Sequence, residues 1–206
     1  MKDIGVVNGR FQVLNLKHME YILAAKMRCQ KLFIGLTNPD SLHTRDSVND
    51  ENRSTKSANP LTYYERYEMI RGAMKEFKVP DSEYDILPFP INCPEYILQY
   101  VPKNATFYMG ICDEWDEEKY KILRSLGLDL EILWRKAPGE KGVTSSWVRS
   151  CIATDQEWAH LVPKSVYRYM TEHHLDERVK RLEKIRMDEK DISLAKPVST
   201  PERTDA

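Results

Sequence analysis

The stretch IGVVNGRFQVLNLKH, residues 4–18, decides the fold. Ile4 to Val7 is a short run rich in β-branched side chains that closes at Asn8-Gly9, a pattern typical of a buried strand followed by a turn. Apolar residues then recur at helical spacing up to Met27, and Leu32 to Leu36 form a second apolar run. This order predicts a βαβ unit, and the fully apolar strands predict a parallel sheet covered on both faces.

The alternation of strands and helices continues along the chain. Strand-like runs recur at Tyr84 to Phe89, Ala105 to Met109 and Leu130 to Trp134, with helical patterns between them. Their order predicts an α/β fold with a doubly wound, Rossmann-like five-stranded parallel sheet. From about residue 144 the pattern is wholly helical, which predicts a helical C-terminal segment.

Two polar stretches interrupt or end this pattern. Residues 38–60 contain almost no apolar side chains, and a loop of this length in a compact domain is typically a lid, a binding loop or disorder. It ends where Thr62 and Glu65 form the capping-box pattern of a helix. We predict one domain over residues 1–190 and a disordered tail over residues 191–206.

Composition narrows the class of protein. The 206 residues carry 31 basic and 32 acidic side chains, a formal net charge of −1, and this balance argues against a protein that coats nucleic acid. No apolar run approaches the roughly 20 residues of a membrane span, and the N-terminus lacks the apolar core of a signal peptide. The four cysteines form no CxxC pair, which argues against a zinc knuckle or a disulfide framework. We therefore predict a cytoplasmic protein without a membrane or nucleic-acid partner.

The turn after the first strand is the first candidate site, because ligands of open α/β sheets bind at the carboxyl ends of the strands. The turn lacks both GxxxxGK(S/T) and GxGxxG. It offers Gly9, Arg10 and, in the first turn of the next helix, His18. Helix N-termini attract anions, so the turn predicts a phosphate site, although His18 alone would suit an ordinary surface helix equally well.

A second candidate site is GVTSSWVRS, residues 142–150. Thr144, Ser145 and Ser146 are N-cap residue types that open a helix, and Arg149 follows one turn later on the same face. Since helical side chains lean toward the N-terminus, Arg149 is predicted to reach an anion held there. Taken alone, the pattern also fits a capped helix with a surface arginine.

Together these motifs resemble the nucleotidyltransferases with an HxGH signature. GRFQVLNLKH is similar to their GRFQPxHxGH turn, and VTSSWVR to their ISxTxxR helix start. NPLTYYERYEMI (59–70) and EWAHLVPKSVYRYM (157–170) resemble segments of archaeal-type nicotinamide mononucleotide (NMN) adenylyltransferases. TNPD (37–40), NPLTYYER (59–66) and PFPIN (88–92) resemble the cytidylyltransferase domains of phosphonate-antibiotic biosynthesis.

The resemblance implies a reaction and a set of roles. An acceptor phosphate or phosphonate attacks the α-phosphate of a nucleoside triphosphate and pyrophosphate leaves, so catalysis is mainly alignment and charge neutralisation. It implies that His18 donates to the α- or β-phosphate, and that Mg2+ is held mainly by the triphosphate rather than by protein ligands. The implied triphosphate contacts are Thr144, Ser145, Ser146 and Arg149, above a turn formed by Gly9, Arg10 and Phe11.

The turn departs from the family pattern. Val13, Asn15 and Lys17 stand where the family has proline, a first histidine and glycine. Asn15 can donate a hydrogen bond but carries no charge, so one hypothesis assigns Asn15 and Lys17 a catalytic role in which Lys17 replaces the missing imidazolium. The contrary hypothesis is a nucleotide-binding protein with impaired catalysis.

The acceptor region is less defined. NMN adenylyltransferases carry a stacking tryptophan in a segment like NCPEYILQYV (92–101), where this chain offers Tyr96. Asp113 and Trp115, in GICDEWDEEK (110–119), form a second candidate acceptor wall, although a charged first helical turn explains them as well.

The sequence therefore favours a nucleotidyltransferase that moves a nucleoside monophosphate, with CMP from CTP preferred, to a small phosphonate or phosphate acceptor. NMN adenylyltransferase is the alternative, with ATP as donor. A homo-oligomer that uses the C-terminal helices is a further expectation.

Overall fold

The computed structural model describes residues 1–40, 54–137, 140 and 142–194. Its strands are β1 (Lys2–Gly9), β2 (Cys29–Leu36), β3 (Tyr84–Pro88), β4 (Thr106–Ile111) and β5 (Asp129–Arg135). Its α-helices are α1 (Leu16–Lys26), α2 (Tyr63–Glu76), α3 (Glu114–Ser125), α4 (Ser145–Ala153), α5 (Lys164–Glu172) and α6 (Leu175–Leu194). Short 3₁₀ segments cover Asp81–Glu83, Pro94–Gln99 and Ala159–Leu161.

The five strands form one parallel sheet in the order β3-β2-β1-β4-β5. The predicted doubly wound sheet is therefore confirmed. Strand β1 lies at its centre, and the chain leaves β1 toward β2 on one side and reaches β4 on the other. The switch point between β1 and β4 is where such sheets bind ligands.

The core has two layers, because successive side chains of a strand point to opposite faces. Val7 lies on the face covered by α1, α2 and the C-terminal helices, and Val6 lies on the face that holds Phe89, Phe107 and Leu123. The C-terminal helices thus complete the cover of one face, which agrees with the predicted helical C-terminal segment. Among the described residues, no helix is long and apolar enough to cross a membrane.

The expected boundary of the C-terminal tail differs in detail from the structure. Helix α6 continues to Leu194, so residues 191–194, assigned to a disordered tail from composition, are helical. Residues 195–206 and residues 41–53 of the predicted loop lie outside the described residues. The segment Pro94–Gln99 forms a 3₁₀ helix, and α1 begins at Leu16 because Asn15 caps it.

The predicted capping box at the start of α2 is confirmed. Thr62 Oγ1 accepts from the Glu65 backbone N–H at 3.2 Å, and the Glu65 carboxylate accepts from the Thr62 backbone N–H at 2.8 Å. The same carboxylate accepts from Arg178 Nη1 at 2.8 Å, which ties α2 to α6. Burial raises the pKa of Glu65, but the hydrogen bonds from Arg178 and Thr62 outweigh burial and lower the pKa below its usual value.

This lowered pKa makes stability depend on acid. The ionised Glu65 stabilises the fold above the unfolded glutamate pKa of about 4.3, and the contribution is lost as pH falls through the lower folded pKa. We expect Glu65→Gln to lower the free energy of unfolding at pH 7 by about 1 kcal/mol, the usual value of a cap. Denaturant unfolding at pH 7 and below pH 4 measures this, and the gap between the proteins should narrow in acid. An equal gap at both pH values, or the same behaviour in the same-helix control Glu68→Gln, would contradict the assignment.

Candidate active site

A cavity of about 680 Å³ opens at the carboxyl edge of the sheet, at the switch point between β1 and β4. Its size lies within the range of small-molecule sites, about 300–1,000 Å³. The strands and the segments that follow them contribute Asn8, Gly9, Thr37, Ile91, Asn92, Gly110 and Trp134 to its wall. The position agrees with the sequence-based prediction that the turn after β1 faces a ligand.

Two helices begin at the cavity without acidic residues in their first turns. Helix α1 contributes Lys17 and His18, and helix α4 contributes Ser145 and Ser146 after its N-cap Thr144. Thr144 Oγ1 accepts from the Trp147 backbone N–H at 3.1 Å, as expected of an N-cap. Both helix starts direct backbone N–H groups and the positive end of the helix dipole toward the cavity, an arrangement that suits phosphate groups.

The turn between β1 and α1 is closely packed. Only glycine fits at position 9, because a Cβ there would lie 2.7 Å from the Phe11 ring. Phe11 is 1% exposed and adopts a φ of 51°, so its ring fills the space that the glycine leaves. Ser145 Oγ donates to the Val13 carbonyl at 3.0 Å, which joins the turn to the start of α4.

Arg66 of α2 ties three segments around the cavity together. Its side chain is 1% exposed and donates to the carbonyls of Arg10, Thr37, Asn38 and Thr62 at 2.7 to 3.2 Å. Burial lowers the pKa of Arg66 to about 10, so the guanidinium remains charged at neutral pH. This arginine fixes the loops after β1 and β2 and adds positive charge beneath them.

His18 is held in one ring orientation. Its Nδ1 accepts from the Asn15 backbone N–H at 3.2 Å, and its ring meets the Phe11 ring edge-on with centroids 5.1 Å apart. Since Nδ1 is an acceptor, the proton of the neutral ring is on Nε2. His18 therefore lines the cavity as an oriented hydrogen-bond donor.

Lys17 brings a cation to the same wall. Its ammonium is paired with Glu20, and this hydrogen bond is the main reason that the pKa of Lys17 is raised above its usual value. Lys136, which follows β5, also lines the cavity; its Nζ lies 3.8 Å from Glu20 Oε1 and 5.3 Å from the centre of the Trp134 ring. Glu20 thus holds two lysines beside the starts of α1 and α4.

A sequence profile of the cytidylyltransferase-like family matches residues 6–150, most of the chain. The chain belongs to the cytidylyltransferase-like family. The match confirms the sequence-based prediction of a nucleotidyltransferase.

Two curated relatives cover most of this cytidylyltransferase-like chain. A phosphonoformate cytidylyltransferase of Streptomyces viridochromogenes is 41% identical over 176 residues, which cover 85% of this chain and 95% of the relative. A nicotinamide-nucleotide adenylyltransferase of Saccharolobus solfataricus is 28% identical over 183 residues, which cover 86% of this chain and 95% of the relative. Both groups that the sequence motifs resembled are therefore represented.

The solved structures agree with the fold. A bifunctional NMN adenylyltransferase/ADP ribose pyrophosphatase from Francisella tularensis, complexed with AMP and a manganese ion, matches with a TM-score of 0.68 at 13% identity. The match covers 97% of this chain and 58% of that protein, so this chain spans little more than half of its length. At that identity the likeness supports the α/β architecture alone.

All but three of the sequence-predicted site residues line the cavity of this cytidylyltransferase-like domain. Those that do are Gly9, Arg10, Phe11, Lys17, His18, Asp113, Trp115, Thr144, Ser145 and Ser146. Asn15, Tyr96 and Arg149 lie outside the lining. Each of these three side chains lies elsewhere in the structure.

Asn15 lies outside the cavity lining. It is fully buried as the N-cap of α1, and its Oδ1 accepts from the His18 backbone N–H at 3.0 Å. With the return bond from the Asn15 backbone to the His18 ring, this is a capping box in which histidine takes the usual glutamate position. In this structure Asn15 therefore positions His18.

Arg149 is directed into the protein. Its side chain is 9% exposed, its Nε donates to Glu183 Oε1 at 2.9 Å, and its Nη1 donates to the Gln12 carbonyl in the turn after β1. Glu183 is itself 5% exposed and also accepts from Arg186 Nε at 2.8 Å. Helix α6 thus holds the guanidinium that the family resemblance assigns to the triphosphate.

Of the predicted acceptor residues, Asp113 and Trp115 line the cavity and Tyr96 does not. Tyr96 is 53% exposed on the 3₁₀ segment, outside the cavity. Asp113 lines the cavity and caps α3, since its Oδ1 accepts from the Asp116 backbone N–H at 2.9 Å. Asp116 in turn accepts from the Cys112 backbone N–H and from Lys119, both at 3.1 Å.

Several lining residues were not predicted. Trp134 lies across the end of β4, where a Cβ on Gly110 would come within 2.5 Å of the indole nitrogen. Tyr21 meets the Trp134 ring with centroids 6.1 Å apart and donates from its hydroxyl to the Tyr108 carbonyl at 2.7 Å. Burial raises the pKa of Tyr21, so its hydroxyl stays protonated and acts as a donor. The position of Trp134 at the cavity was difficult to predict from sequence, because it depends on the pairing of β5 with β4.

Proposed function

We propose that this protein transfers CMP from CTP to a small phosphonate, with phosphonoformate as the first candidate, and releases pyrophosphate. The relative at 41% identity, named as a phosphonoformate cytidylyltransferase, supports both the nucleotide and the acceptor class. The observation that carries the proposal is the single cavity into which two helix starts, Lys17 and the Nε2 donor of His18 converge.

These helix starts and side chains suit nucleotidyl transfer to an acceptor that is already an anion. An acceptor oxygen forms a new bond to the α-phosphorus, and the bond from that phosphorus to the bridging oxygen of pyrophosphate breaks with its electron pair. No general base is needed, because the phosphonate is ionised at neutral pH. Alignment of the two reactants and stabilisation of charge on the triphosphate supply the catalysis.

The lining residues divide between these tasks. His18 Nε2–H donates to the α-phosphate region, and Lys17, Lys136 and the N-terminus of α4 neutralise the β- and γ-phosphates. Thr144, Ser145 and Ser146 frame that end of the cavity. The aromatic wall formed by Trp115 and Trp134 remains for the base or ribose.

Mg2+ fits as an ion that enters with the triphosphate, whose negative charge it offsets. Two cavity carboxylates already accept protein hydrogen bonds, Asp113 at the α3 cap and Asp116 from Cys112 and Lys119. In the described part of the chain, no three His, Cys, Asp or Glu side chains are grouped to hold a metal. Phosphate oxygens as the main ligands agree with the usual coordination of Mg2+.

NMN adenylyltransferase is the second candidate. Trp115 and Trp134 offer flat surfaces that could stack on a nicotinamide or adenine ring, and the relative at 28% identity carries that name. The position of Tyr96 outside the cavity weighs against the particular stacking residue that the sequence suggested. Nucleotide binding without turnover is the third candidate, but Asn15 no longer supports it, because its capping role leaves the Nε2 donor of His18 in place.

One assay separates the three candidates. Pyrophosphate release is measured with CTP or ATP and Mg2+, each against phosphonoformate, phosphonoacetate and NMN, and products are identified by mass. Turnover with CTP and a phosphonate supports the proposal. Turnover only with ATP and NMN supports the second candidate, and CTP or ATP binding by calorimetry without release in any pairing supports the third.

Lys17 has its own expected effect. Lys17→Met should weaken CTP binding by roughly 10- to 100-fold, because a hydrogen bond to a charged group contributes about 1.5–3 kcal/mol. Lys17→Gly, which restores the family residue, should behave alike, whereas Asn15→His should give no gain because position 15 faces the helix backbone. Kinetics of pyrophosphate release provide KM for CTP, with Lys121→Met, an exposed lysine of α3, as the control. Faster turnover in both Lys17→Gly and Asn15→His would instead mean that the native residues impair catalysis.

A further inference from the structure

Asn8 is an exception in the central strand. It lies at the carboxyl end of β1 and is 3% exposed, yet neither Oδ1 nor Nδ2 has a hydrogen-bond partner among the described residues. Its backbone is paired with Gly35 in the β1-β2 ladder, so the strand itself makes no use of the side chain. A buried amide without partners destabilises a fold, and asparagine is disfavoured in strands.

The fold offers no structural reason for an amide at this position. Side chains two apart on a strand share a face, so Asn8 lies on the same face as the fully buried Val6. That face is apolar, with Phe89, Ile91 and Met109 in the same core cluster. An apolar side chain at position 8 would pack there without an unsatisfied polar group. The side chain does, however, line the cavity.

Two further amides line the same cavity as Asn8. Asn92 Nδ2 donates to Asn38 Oδ1 at 3.2 Å, and both residues line the cavity with Asn8. Asn38 adopts a φ of 50°, a conformation that asparagine tolerates, and Arg66 Nη2 fixes its carbonyl at 2.8 Å. We call Asn8, Asn38 and Asn92 the amide wall.

Two members of the amide wall lie on segments other than those of the cations. Lys17, His18 and the α4 residues follow the β1 turn and β5, whereas Asn38 and Asn92 follow β2 and β3. The cations account for the triphosphate under the proposed function. Neutral amides, which offer donors and acceptors without charge, suit recognition of a small polar group rather than of a polyphosphate.

We propose that Asn8 is a specificity-determining residue for the acceptor and that its carboxamide hydrogen-bonds an oxygen atom borne by the carbon attached to phosphorus. The inference rests on the proposed function and extends it to the acceptor class: a phosphonate that carries a carboxylate or a hydroxyl next to phosphorus. Nδ2–H donates to either group, and Oδ1 accepts from the hydroxyl or from a water that bridges to the carboxylate. A phosphonate with only a methyl group leaves the amide without a partner, so it is discriminated against.

The test compares Asn8→Leu with the wild type on three acceptors: phosphonoformate, hydroxymethylphosphonate and methylphosphonate, each with CTP and Mg2+. Leucine has a similar shape and no hydrogen-bonding atoms. We expect the kcat/KM preference for the oxygen-bearing acceptors over methylphosphonate to fall about tenfold, the effect of one lost hydrogen bond, with KM for CTP unchanged. Asn8→Asp should lower kcat/KM for phosphonoformate further, because a carboxylate repels it. Asn104→Leu, at an exposed position, serves as the control.

Thermal unfolding of the ligand-free proteins separates a ligand-binding role of Asn8 from a purely structural role, because the two predict opposite changes in melting temperature. If the amide serves a ligand, Asn8→Leu should melt at the same temperature as the wild type or higher, because an unsatisfied buried group is removed. A lower melting temperature together with an unchanged acceptor preference would overturn the inference and assign Asn8 a structural role. The group recognised, carboxylate or hydroxyl, is identified by whether kcat/KM of Asn8→Leu falls more for phosphonoformate or for hydroxymethylphosphonate.

Failure of the inference is distinguishable from failure of the proposed function. If the wild type uses phosphonates and Asn8→Leu keeps the same preference, only the inference is overturned. If the wild type uses no phosphonate, the proposed function is overturned, and calorimetric titration of phosphonoformate into the CTP-bound proteins then decides. Weaker binding to Asn8→Leu than to the wild type would uphold the inference, and equal or absent binding would overturn it.

Discussion

Replacing His18 with alanine is expected to lower kcat/KM for nucleotidyl transfer by roughly 10²–10³-fold, the usual effect of losing one preorganised donor to developing charge. The structure supports a large effect because the ring is fixed at two points. Its Nδ1 accepts from the Asn15 backbone N–H at 3.2 Å, and its ring lies nearly perpendicular to the Phe11 ring with centroids 5.1 Å apart, so the direction of Nε2–H is fixed. A donor held in this way stabilises the transition state without the cost of being ordered.

The separate effects of His18→Ala on kcat and on KM identify the role of His18. A donor that acts mainly in the transition state should lower kcat more than it raises KM for CTP. His18→Ala also loses a capping bond at α1, so thermal unfolding should show a small decrease in Tm. The control is His160→Ala, an exposed histidine outside the cavity lining. A kcat/KM within threefold of the wild type in His18→Ala would exclude His18 from the reaction.

Sequence reasoning identified the fold and the part of the site that is local in the chain. Apolar periodicity predicted all five strands, because buried parallel strands must be apolar on both faces. The residues at the starts of α1 and α4 were predicted for a similar reason: Thr144 and His18 belong to turns whose chemistry can be read from neighbouring residues. The capping role of Asn15 was missed because its partner at the third helical position is a histidine rather than a glutamate.

The remainder of the site depends on contacts that no local pattern encodes. Trp134 and Lys136 reach the cavity only because β5 pairs with β4, and Gly110 leaves room for the indole. Arg66 stood in a recognised motif, yet its function as a tie between loops requires carbonyls up to 56 residues away. Asn8 was read as part of a turn, and its unsatisfied amide is evident only once the neighbouring strands are in place.

The largest discrepancy concerns Arg149, and a pair of substitutions separates its two possible roles. Arg149→Met alone should destabilise the protein by about 3–5 kcal/mol, since it leaves the buried Glu183 without its main partner. Glu183→Met should cost about as much for the reciprocal reason. The double variant Arg149→Met/Glu183→Met replaces a buried ion pair with apolar side chains and should regain most of the lost stability, as such replacements often do. Denaturant unfolding of the four proteins measures the coupling.

Activity of the double variant is the deciding measurement. If Arg149 also serves the triphosphate, as the family resemblance implies, the refolded double variant should retain less than about one hundredth of wild-type kcat/KM, the effect of a lost charged donor. The contact of Arg149 Nη1 with the Gln12 carbonyl, in the turn that precedes His18, instead favours a structural role in the ligand-free protein. Recovery of both stability and activity would mean that the guanidinium only joins α4 to α6. Lys180→Met, which breaks the exposed Lys180–Asp155 pair to the same helix, controls for general loosening of α6.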